Sequence, residues 1–557
     1  MEVRSIAMRV VGSLILCLSA DRPADAARGW ARAAGGAGTD IYNSVDPTSD
    51  GGYIVAGNTI SSGAGSMDGW CLKLDSSGNP TWQKTFGGSG ADYLYSAQQT
   101  SDGGYIVAGS TESSGAGFGD GWCLKLDSSG KPSWKKTYGG SGNDVFRSVR
   151  QTSDGGYIVA GYSSSSTVGF DEGWCLKLDS SGNPTWQKVF GGIGTDWFYS
   201  IQQTSDGGYV AAGYTDGYGA GNFDAWCLKL DSSGSPTWQY AYGGTSFDTV
   251  DSVQQTSDGG YILAGRTESF GAGLQDAWCL KLDSAGKPTW QKTYGGSDLD
   301  SVESVQQTSD GGFVVAGYTV SFGDGGRSGW CLKLGTSGKI SWQRTYGGVG
   351  TEWFHAVQQT SDGGYIAAGY TDTFGEGTPN GFAVKLDGSG EIDSSCGTIV
   401  QRSKAVISNS RATRSTIQST VSDTSATGKT APNRILNSKA KSILVCPSSD
   451  LPDLTGAWWN LKVTGTKVTA TLGCAEVGGA SAGTFVVKVY LSKGSTPGSG
   501  DTLVKTATVA SLSAGAVSTI NLSATRGAQH KYLVAVIDED NTIGEGDELN
   551  NTVSGKL

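Results

Sequence analysis

The stretch Thr100-Ser-Asp-Gly-Gly-Tyr-Ile-Val-Ala-Gly109 decides the fold, because closely similar versions of it occur seven times along the chain. The copies are spaced 52 residues apart, with no insertion or deletion between them. Regular repeats of this length indicate a solenoid, a propeller or an array of small units. We interpret the recurrent aspartate as a structural residue of each repeat: Asp50, Asp102, Asp154, Asp206, Asp258, Asp310 and Asp362.

Each repeat contains four runs that are typical of short antiparallel strands. In the second copy these runs cover 93–100, 105–111, 122–127 and 133–138. The Asp-Gly pair between the first two runs favours a tight hairpin, because it accepts the positive φ angles of a type I′ turn. Four antiparallel strands in each repeat are typical of a propeller blade.

The two ends of the repeat region predict a closed ring. Residues 29–36 match the fourth run but precede the first hairpin, and the last copy stops after its third run at 382–387. The N-terminal segment can therefore supply the missing strand of the last copy and remove an open sheet edge. We predict an all-β protein with a seven-bladed β-propeller over 28–392, in which an N-terminal strand closes the last blade.

The repeats resemble kelch-like and related Gly- and Trp-rich propeller repeats of exported bacterial proteins. This resemblance rests on the period, the hairpin and the offset of the terminal strands. It implies the fold alone, because propellers are used for binding, for scaffolding and for catalysis.

The composition limits the classes of partner. The chain of 557 residues has a formal net charge of −11 and a pI near 4.8, which argues against a nucleic-acid or anionic-membrane partner. Only two histidines occur, His355 and His530, so histidine-based catalysis is nearly excluded. We recognise no catalytic constellation and expect a protein that is not an enzyme.

The N-terminal residues 1–26 are typical of an export signal. Arg4 and Arg9 precede an apolar run over 10–20 that is too short to span a bilayer as a helix. We therefore expect a secreted or cell-surface protein, monomeric and without a transmembrane segment in its mature chain.

Two acidic positions recur in most repeats, represented by Asp92 and Asp120 in the second copy. We expect each carboxylate to cap its own turn by accepting hydrogen bonds from backbone N–H groups. A Ca²⁺-stabilised acidic rim is the alternative. In six of the seven repeats a cysteine, such as Cys123, follows a tryptophan and is interpreted as a small buried hydrophobic residue.

Departures from the repeat pattern separate candidate functional residues from structural ones. A residue present in every copy serves the repeat, whereas a unique site should interrupt the symmetry. Unmatched aromatic and charged residues occur near the start of the first run of several copies. If they reach the channel mouth they form a platform for a sugar or a peptide, and ordinary packing between inner strands is the alternative. These candidates are Tyr93, Arg147, Trp197, Trp353 and His355.

Residues 393–449 differ sharply in composition from the repeats. They are rich in Ser and Thr, and over 397–446 the eight Lys and Arg residues face a single acid, Asp423. We interpret the segment as a basic linker, either a solvated stalk or a region of irregular strands. Cys396 and Cys446 lie at its ends, and a disulfide between them is an open possibility in an exported protein.

The C-terminal residues 450–557 predict a β-sandwich of about seven short strands. The opening Pro452-Asp-Leu454, the apolar run 485–491 and the acidic ending resemble the bacterial cell-adhesion-related (CARDB) domain, an immunoglobulin-like module. The resemblance implies surface display or adhesion. The acidic ending is either a solvated turn or an oxygen-rich Ca²⁺ site formed by Asp538, Asp540, Asn541, Glu545 and Glu548.

The leading hypothesis is an exported, surface-associated binding or adhesion protein. Its propeller would recognise an extracellular glycan or protein, and the sandwich would act as a spacer or anchor. One alternative is a glycan-active lyase or glycosidase, which needs two carboxylates about 5–10 Å apart, although the sequence singles out no such pair. Another is a passive spacer, favoured by the close similarity of the repeats.

Overall fold

The computed structural model describes residues 29–392 apart from 166–169, 193, 324–325 and 376. Beyond residue 392 it describes the strands whose bounds are given below. Every regular element in these parts of the chain is a β-strand. No helix in the described part of the chain is long and apolar enough to cross a membrane. The predicted export signal at 1–26 lies outside the described residues.

The repeat region forms seven sheets of four antiparallel strands each. The N-terminal strand is β1 (Trp30–Gly35). Sheet 1 contains β2 (Asp40–Pro47), β3 (Tyr53–Thr59), β4 (Asp68–Leu74) and β5 (Pro80–Gly87), and sheet 2 contains β6 (Asp92–Gln99), β7 (Tyr105–Thr111), β8 (Asp120–Leu126) and β9 (Pro132–Tyr138). Sheet 3 contains β10 (Asp144–Gln151), β11 (Tyr157–Ser163), β12 (Glu172–Leu178) and β13 (Pro184–Gly191), and sheet 4 contains β14 (Asp196–Gln203), β15 (Tyr209–Thr215), β16 (Asp224–Leu230) and β17 (Pro236–Gly243).

The remaining three sheets continue the same order. Sheet 5 contains β18 (Asp248–Gln255), β19 (Tyr261–Thr267), β20 (Asp276–Leu282) and β21 (Pro288–Gly295), and sheet 6 contains β22 (Asp300–Gln307), β23 (Phe313–Thr319), β24 (Ser328–Leu334) and β25 (Ile340–Tyr346). Sheet 7 combines β26 (Glu352–Gln359), β27 (Tyr365–Thr371) and β28 (Asn380–Leu386) with the N-terminal β1.

The pairing of β1 joins the two ends of the repeat region. It runs antiparallel to β28, with Trp30 opposite Lys385, so the N-terminal strand completes the last sheet as expected. The first strands of neighbouring sheets contact one another in order, and β26 of sheet 7 contacts β2 of sheet 1. The seven sheets therefore form a closed cycle of contacts.

The hydrophobic core lies between neighbouring sheets. One cluster joins Ile54 and Cys71 of sheet 1 to Leu94 and Trp122 of sheet 2, all fully buried. Equivalent clusters recur between the other neighbouring sheets. Burial raises the pKa of the Cys71 thiol, so this cysteine stays protonated and packs as a small hydrophobic residue.

The recurrent aspartate of the repeated phrase organises the first hairpin of each sheet. In sheet 2, Asp102 accepts hydrogen bonds from the Thr100 hydroxyl at 2.5 Å and the Gly104 N–H at 3.0 Å, and Lys125 Nζ lies 2.8 Å from its Oδ2. Burial alone would raise the pKa of Asp102, but the bonds from Lys125 and Thr100 outweigh it and lower the pKa to about 2.

The hairpin turn differs from the predicted type I′ turn. The Gly103 N–H donates to the Thr100 carbonyl, and the Thr100 N–H donates to the Gly104 carbonyl. Gly103 has a φ of 79°, in the left-handed region that suits glycine. The loop is therefore a three-residue hairpin with one left-handed glycine, in which the Asp102 carboxylate holds the turn from inside.

Seven short strands beyond the repeats pair with the outer edges of the sheets; we call them the belt. They are β29 (Val400–Arg402), β30 (Val406–Asn409), β31 (Thr413–Thr416), β32 (Thr420–Asp423), β33 (Lys429–Thr430), β34 (Arg434–Asn437) and β35 (Lys441–Cys446). The first six pair with sheets 6, 5, 4, 3, 2 and 1 in that order, and β35 pairs with β1 of sheet 7. The backbone groups of these strands cover the outer edge of every sheet.

The last part of the chain forms two further sheets. Their strands are β36 (Leu454–Thr464), β37 (Lys467–Glu476), β38 (Phe485–Ser492), β39 (Thr502–Val509), β40 (Val517–Thr525), β41 (Tyr532–Ile537) and β42 (Thr552–Lys556). One sheet has the order β36-β37-β40 and the other the order β39-β38-β41-β42. Each sheet contributes buried residues, such as Leu472 of β37 and Val489 of β38, which is consistent with an immunoglobulin-like sandwich.

Candidate functional site

A cavity of about 460 Å³ lies where the first strands of all seven sheets meet. Pockets of roughly 300–1,000 Å³ are usual for small-molecule ligands. The lining is mainly polar, and every first strand contributes to it.

Each first strand contains a β-bulge, and in six of the seven the extra residue lines this cavity. In β10 the pairing with β11 steps from Phe146–Gly161 to Ser148–Ala160, which leaves Arg147 as the extra residue. Bulges re-aim side chains in this way and are frequent beside functional sites. The same step occurs in the first strand of every other sheet. Six bulge residues line the cavity, and we call them the channel ring: Tyr95, Arg147, Tyr199, Asp251, Glu303 and His355.

The seventh bulge residue is Asn43, which does not line the cavity. Its side-chain amide donates to the Leu94 carbonyl at 2.9 Å and so ties sheet 1 to sheet 2.

The channel ring breaks the symmetry of the repeats. The residue that follows each bulge is serine in six copies and Ala356 in the seventh. The Ser96 hydroxyl, for example, accepts a hydrogen bond from the Val149 N–H of the next sheet at 3.2 Å. The ring itself contains one guanidinium, two carboxyls, one imidazole and two phenols. Packing of the repeat therefore keeps the serine constant but does not require any one residue in the ring.

Arg147 is held by aromatic side chains. Its Cζ lies 4.2 Å from the centroid of the Tyr95 ring and 5.6 Å from that of Tyr199. Such cation–π contacts favour a guanidinium withdrawn from water. In the described part of the chain, Arg147 Nε is buried without a hydrogen-bond partner. One face of the guanidinium is covered by a ring, and an edge still needs an acceptor.

Asp251 and Glu303 lie on the first strands of the adjacent sheets 5 and 6. Burial raises the pKa of each carboxyl well above its usual range, and the charge of Glu303 raises that of Asp251 further. The positive charges of Arg266 and Arg147 act in the opposite direction. Asp251 Oδ2 is buried without a hydrogen-bond partner among the described residues. The two carboxyls therefore compete for protons, and none of the described ion pairs includes either of them.

His355 completes the ring on sheet 7. Burial, aided by the charge of Arg147, lowers the pKa of His355 to about 4, so its imidazole is neutral at pH 7. Its Nε2 is buried without a partner among the described residues, and its ring lies 5.6 Å from that of Trp353. A neutral imidazole can donate from one nitrogen and accept at the other.

Of the five sequence candidates, Arg147 and His355 line the cavity, whereas Tyr93, Trp197 and Trp353 do not. Each of these three precedes a channel-ring residue by two positions and packs on its neighbours. Tyr93 stacks on the ring of Tyr95, with the centroids 5.9 Å apart.

The two tryptophans are likewise engaged with other side chains. Trp197 stacks on Tyr162 with centroids 4.0 Å apart, and its indole N–H donates to Asp171 Oδ2 at 3.1 Å. Trp353 lies 4.4 Å from Tyr318 between ring centroids. Each of the three aromatic residues thus contacts a channel-ring residue without lining the cavity.

The recurrent acidic positions cap turns, as expected. Asp92 accepts hydrogen bonds from the Gly88 N–H at 2.8 Å and the Ser113 hydroxyl at 2.6 Å, and Asp120 accepts from the Ala116 N–H at 2.9 Å. Within the described ranges, no group of three or more His, Cys, Asp or Glu side chains is placed to hold a metal ion.

Several predicted site residues lie outside the part that the structure describes. They are Cys396 and the acidic cluster Asp538, Asp540, Asn541, Glu545 and Glu548. Cys446 is described as part of β35 by its backbone alone, so the disulfide remains a prediction.

Four channel-ring residues were missed by the sequence analysis: Tyr95, Tyr199, Asp251 and Glu303. The available signal was their position, because all four are equivalent to Arg147 and His355 in the 52-residue period.

Comparison with known proteins identifies the C-terminal module. Residues 451–555 match the family model described as CARDB, a cell-adhesion-related domain. A search of curated proteins found no match.

Two solved structures are similar to the same part of the chain. One is the crystal structure of a CARDB domain from Pyrococcus furiosus in complex with di-metal ions, 24% identical, which covers 19% of this chain and 93% of that chain with a TM-score of 0.16. The other is a solution NMR structure of the same domain, 23% identical, which covers 19% of this chain and 94% of that chain with a TM-score of 0.16.

Proposed function

We propose that the chain is an exported, surface-associated binding protein whose seven sheets form a seven-bladed β-propeller with a ligand site in the central cavity. The closed cycle of contacts and the completion of sheet 7 by β1 support the propeller over residues 28–392. We further propose that residues 1–26 direct export and that the mature protein is a monomer.

The observation that carries the binding function is the diversity of the channel ring. The repeats copy one another closely, yet the six bulge residues that face one cavity include cationic, acidic, neutral and aromatic side chains. Enclosed polar groups without partners cost free energy unless a ligand or solvent satisfies them. A passive spacer would have no need for this arrangement.

The ligand is an extracellular glycan or a segment of a protein. Aromatic rings such as Tyr95 and Tyr199 beside carboxyl, guanidinium and imidazole groups provide stacking surfaces together with hydrogen-bond donors and acceptors. The CARDB match at 451–555 supports a role in adhesion, with this module as the spacer or anchor.

A second candidate function, glycan cleavage, is favoured by the carboxyl pair Asp251 and Glu303. General acid–base hydrolysis needs one protonated and one ionised carboxyl, and two coupled groups with raised pKa values can provide both. Release of reducing ends from an array-positive glycan, abolished in both Asp251→Asn and Glu303→Gln, would establish this activity.

The test of binding is a glycan and cell-wall polysaccharide array probed with the mature protein, with Ca²⁺ and with chelator. We expect selective binding that is lost in Arg147→Gln and kept in Lys131→Gln, a control with the same charge change on an exposed turn. The chelator arm also tests the predicted Ca²⁺ site of the C-terminal acidic cluster. Equal binding by both variants would place the ligand elsewhere.

A further inference from the structure

We propose that the central cavity accepts a zwitterionic ligand, with its ammonium group beside Asp251 and Glu303 and its carboxylate beside Arg147. This inference rests on the proposed function, because it assigns a ligand class to the same site.

The charged residues of the channel ring form no ion pair with one another or with other described residues. The described ion pairs join a hairpin Lys to an Asp in each sheet and Arg344 to Glu391, and none includes a channel-ring residue. A charged group that is enclosed by protein without an ion-pair partner is destabilising. The charge of Arg266 acts on both carboxyls, but Arg147, Asp251 and Glu303 form no described ion pair, so a ligand of opposite charge can pair with each.

The buried atoms without partners differ in their hydrogen-bonding chemistry. Arg147 Nε can only donate, and Asp251 Oδ2 accepts when the carboxyl is ionised. A ligand must therefore offer an acceptor at one point and a donor at another. The guanidinium edge that Tyr95 leaves uncovered suits a carboxylate, which can accept from two N–H groups at once.

The positive and negative groups are separated around the channel ring. Arg147 belongs to sheet 3 and the two carboxyls to sheets 5 and 6, with Tyr199 of sheet 4 between them. The charge of Arg147 still lowers the pKa of both carboxyls, so all three lie within electrostatic reach. A single cation or anion would satisfy one end alone, whereas a zwitterion spans Tyr199 and satisfies both.

Protons compete with the ammonium group at this site. Besides the pair itself, the groups that face Asp251 and Glu303 are Arg147, Arg266, Arg327, Trp353, Tyr199, Tyr318 and Tyr370. An ammonium group favours the ionised carboxyls, so its binding should release a proton and strengthen as the pH rises from 5 to 8.

The experiment is titration calorimetry of the full chain with ω-amino acids from glycine to 6-aminohexanoate. Butylamine, butanoate and 1-butanol serve as the cationic, anionic and neutral counterparts. We expect at least one ω-amino acid to bind tenfold or more tightly than any counterpart. Affinities that are no better than those of butylamine and butanoate would overturn the proposal.

Variants locate the two ends of the ligand. Asp251→Asn and Glu303→Gln should weaken the binding of the best ω-amino acid tenfold or more and leave that of butanoate unchanged. Arg147→Gln should also weaken the binding of the ω-amino acid but leave that of butylamine unchanged. Asp231→Asn, on an exposed turn of sheet 4, is the control for the loss of one negative charge. A ligand that binds these variants as it binds the unaltered chain lies outside the cavity, which would also overturn the proposal.

The outcomes separate this inference from the proposed function. Array binding of a neutral glycan that is lost in Arg147→Gln, together with no binding of any ω-amino acid, refutes the zwitterion and leaves the binding function standing. If neither a glycan nor an ω-amino acid binds, the zwitterion proposal and the proposed binding function are both refuted. Circular dichroism identifies any variant that fails to fold. If one of the two carboxyl variants is unfolded, the ligand affinity of the other tests the proposal.

Discussion

Lys229 Nζ lies 2.9 Å from Asp206 Oδ2, but the exposure of the two partners is very different: 7% of the lysine side chain is accessible against 63% of the aspartate side chain. The lysine also donates to the Leu230 carbonyl at 2.9 Å. Each of the seven sheets contains an equivalent pair. The carboxylate therefore serves as the surface counter-ion of an ammonium group that the sheet encloses.

Removing the charge of Asp206 should destabilise the fold more than removing that of Lys229. Asp206→Asn keeps the acceptor for Thr204 and Gly208 but leaves the enclosed Lys229 without its counter-ion, so we expect a loss of about 2–3 kcal/mol in the free energy of unfolding. Lys229→Met leaves an exposed carboxylate and should cost about 1 kcal/mol. Urea unfolding followed by tryptophan fluorescence measures both, and a larger loss for the methionine variant would contradict the assignment.

The turn carboxylate Asp224 should destabilise the fold at neutral pH. Burial raises the pKa of Asp224 to about 6, and although the N–H groups of Gly221 and Ala220 oppose this, Asp248 adds to it. Because the folded-state pKa lies above the unfolded value of about 3.9, the cost is absent below about pH 3, small at pH 4 and fully present above about pH 7.

Asp224→Asn should therefore raise the free energy of unfolding by about 1 kcal/mol at pH 7 and by only a small fraction of that at pH 4. The control is Asp231→Asn in the same sheet, where hydrogen bonds from Ser233 and Ser235 lower the pKa of the carboxyl. That variant should show no gain at either pH. Urea midpoints at the two pH values test both statements, and a pH-independent gain for Asp224→Asn would show that its charge is not the cause.

The belt should keep the sheets from associating between molecules. A chain ending at residue 392 exposes seven outer strands whose N–H and C=O groups can pair with another molecule. We expect it to form oligomers or aggregates in size-exclusion chromatography with light scattering. A chain ending at 450 retains the belt, lacks the C-terminal module and should remain monomeric. Identical behaviour of the two truncations would show that the edges need no cover.

The contact between Arg147 and Tyr95 should contribute to ligand affinity. Tyr95→Leu removes the aromatic face 4.2 Å from the guanidinium and should weaken the best ω-amino acid by about fivefold, equivalent to about 1 kcal/mol. Tyr93→Leu, two residues earlier and outside the cavity, should change affinity less than twofold. Calorimetry of the two variants measures the difference, and a larger effect of Tyr93 would favour a platform at the channel mouth.

Sequence reasoning succeeded where one physical rule acts in every repeat. The 52-residue period, the Asp-Gly hairpin and the unpaired run at 29–36 led to seven four-stranded sheets completed by β1. For the belt it left two alternatives open, a solvated stalk and irregular strands. An added edge strand is held by backbone hydrogen bonds, which any residue but proline can form at every position. A Ser- and Thr-rich segment therefore has no sequence pattern that predicts such a strand.

The sequence predicted only some of the residues that line the cavity. Arg147 and His355 stood out as residues without equivalents. Asp251 and Glu303 occupy the same position, but a regular strand alternates its faces, and the bulge before Ser252 and Ser304 interrupts that alternation. Without the bulge, no rule identifies which residues of the first strand enter the cavity.

The reversed order of the belt also determines how the chain would respond to a pulling force. Tension applied from the C-terminal module reaches β35 first and then passes to β34 and the earlier strands, one sheet at a time. Each step separates a single outer strand while the four-stranded sheet beneath it stays paired. Residues 400–446 extend by roughly 150 Å at about 3.3 Å per residue, so the belt can lengthen and dissipate load before the ring opens.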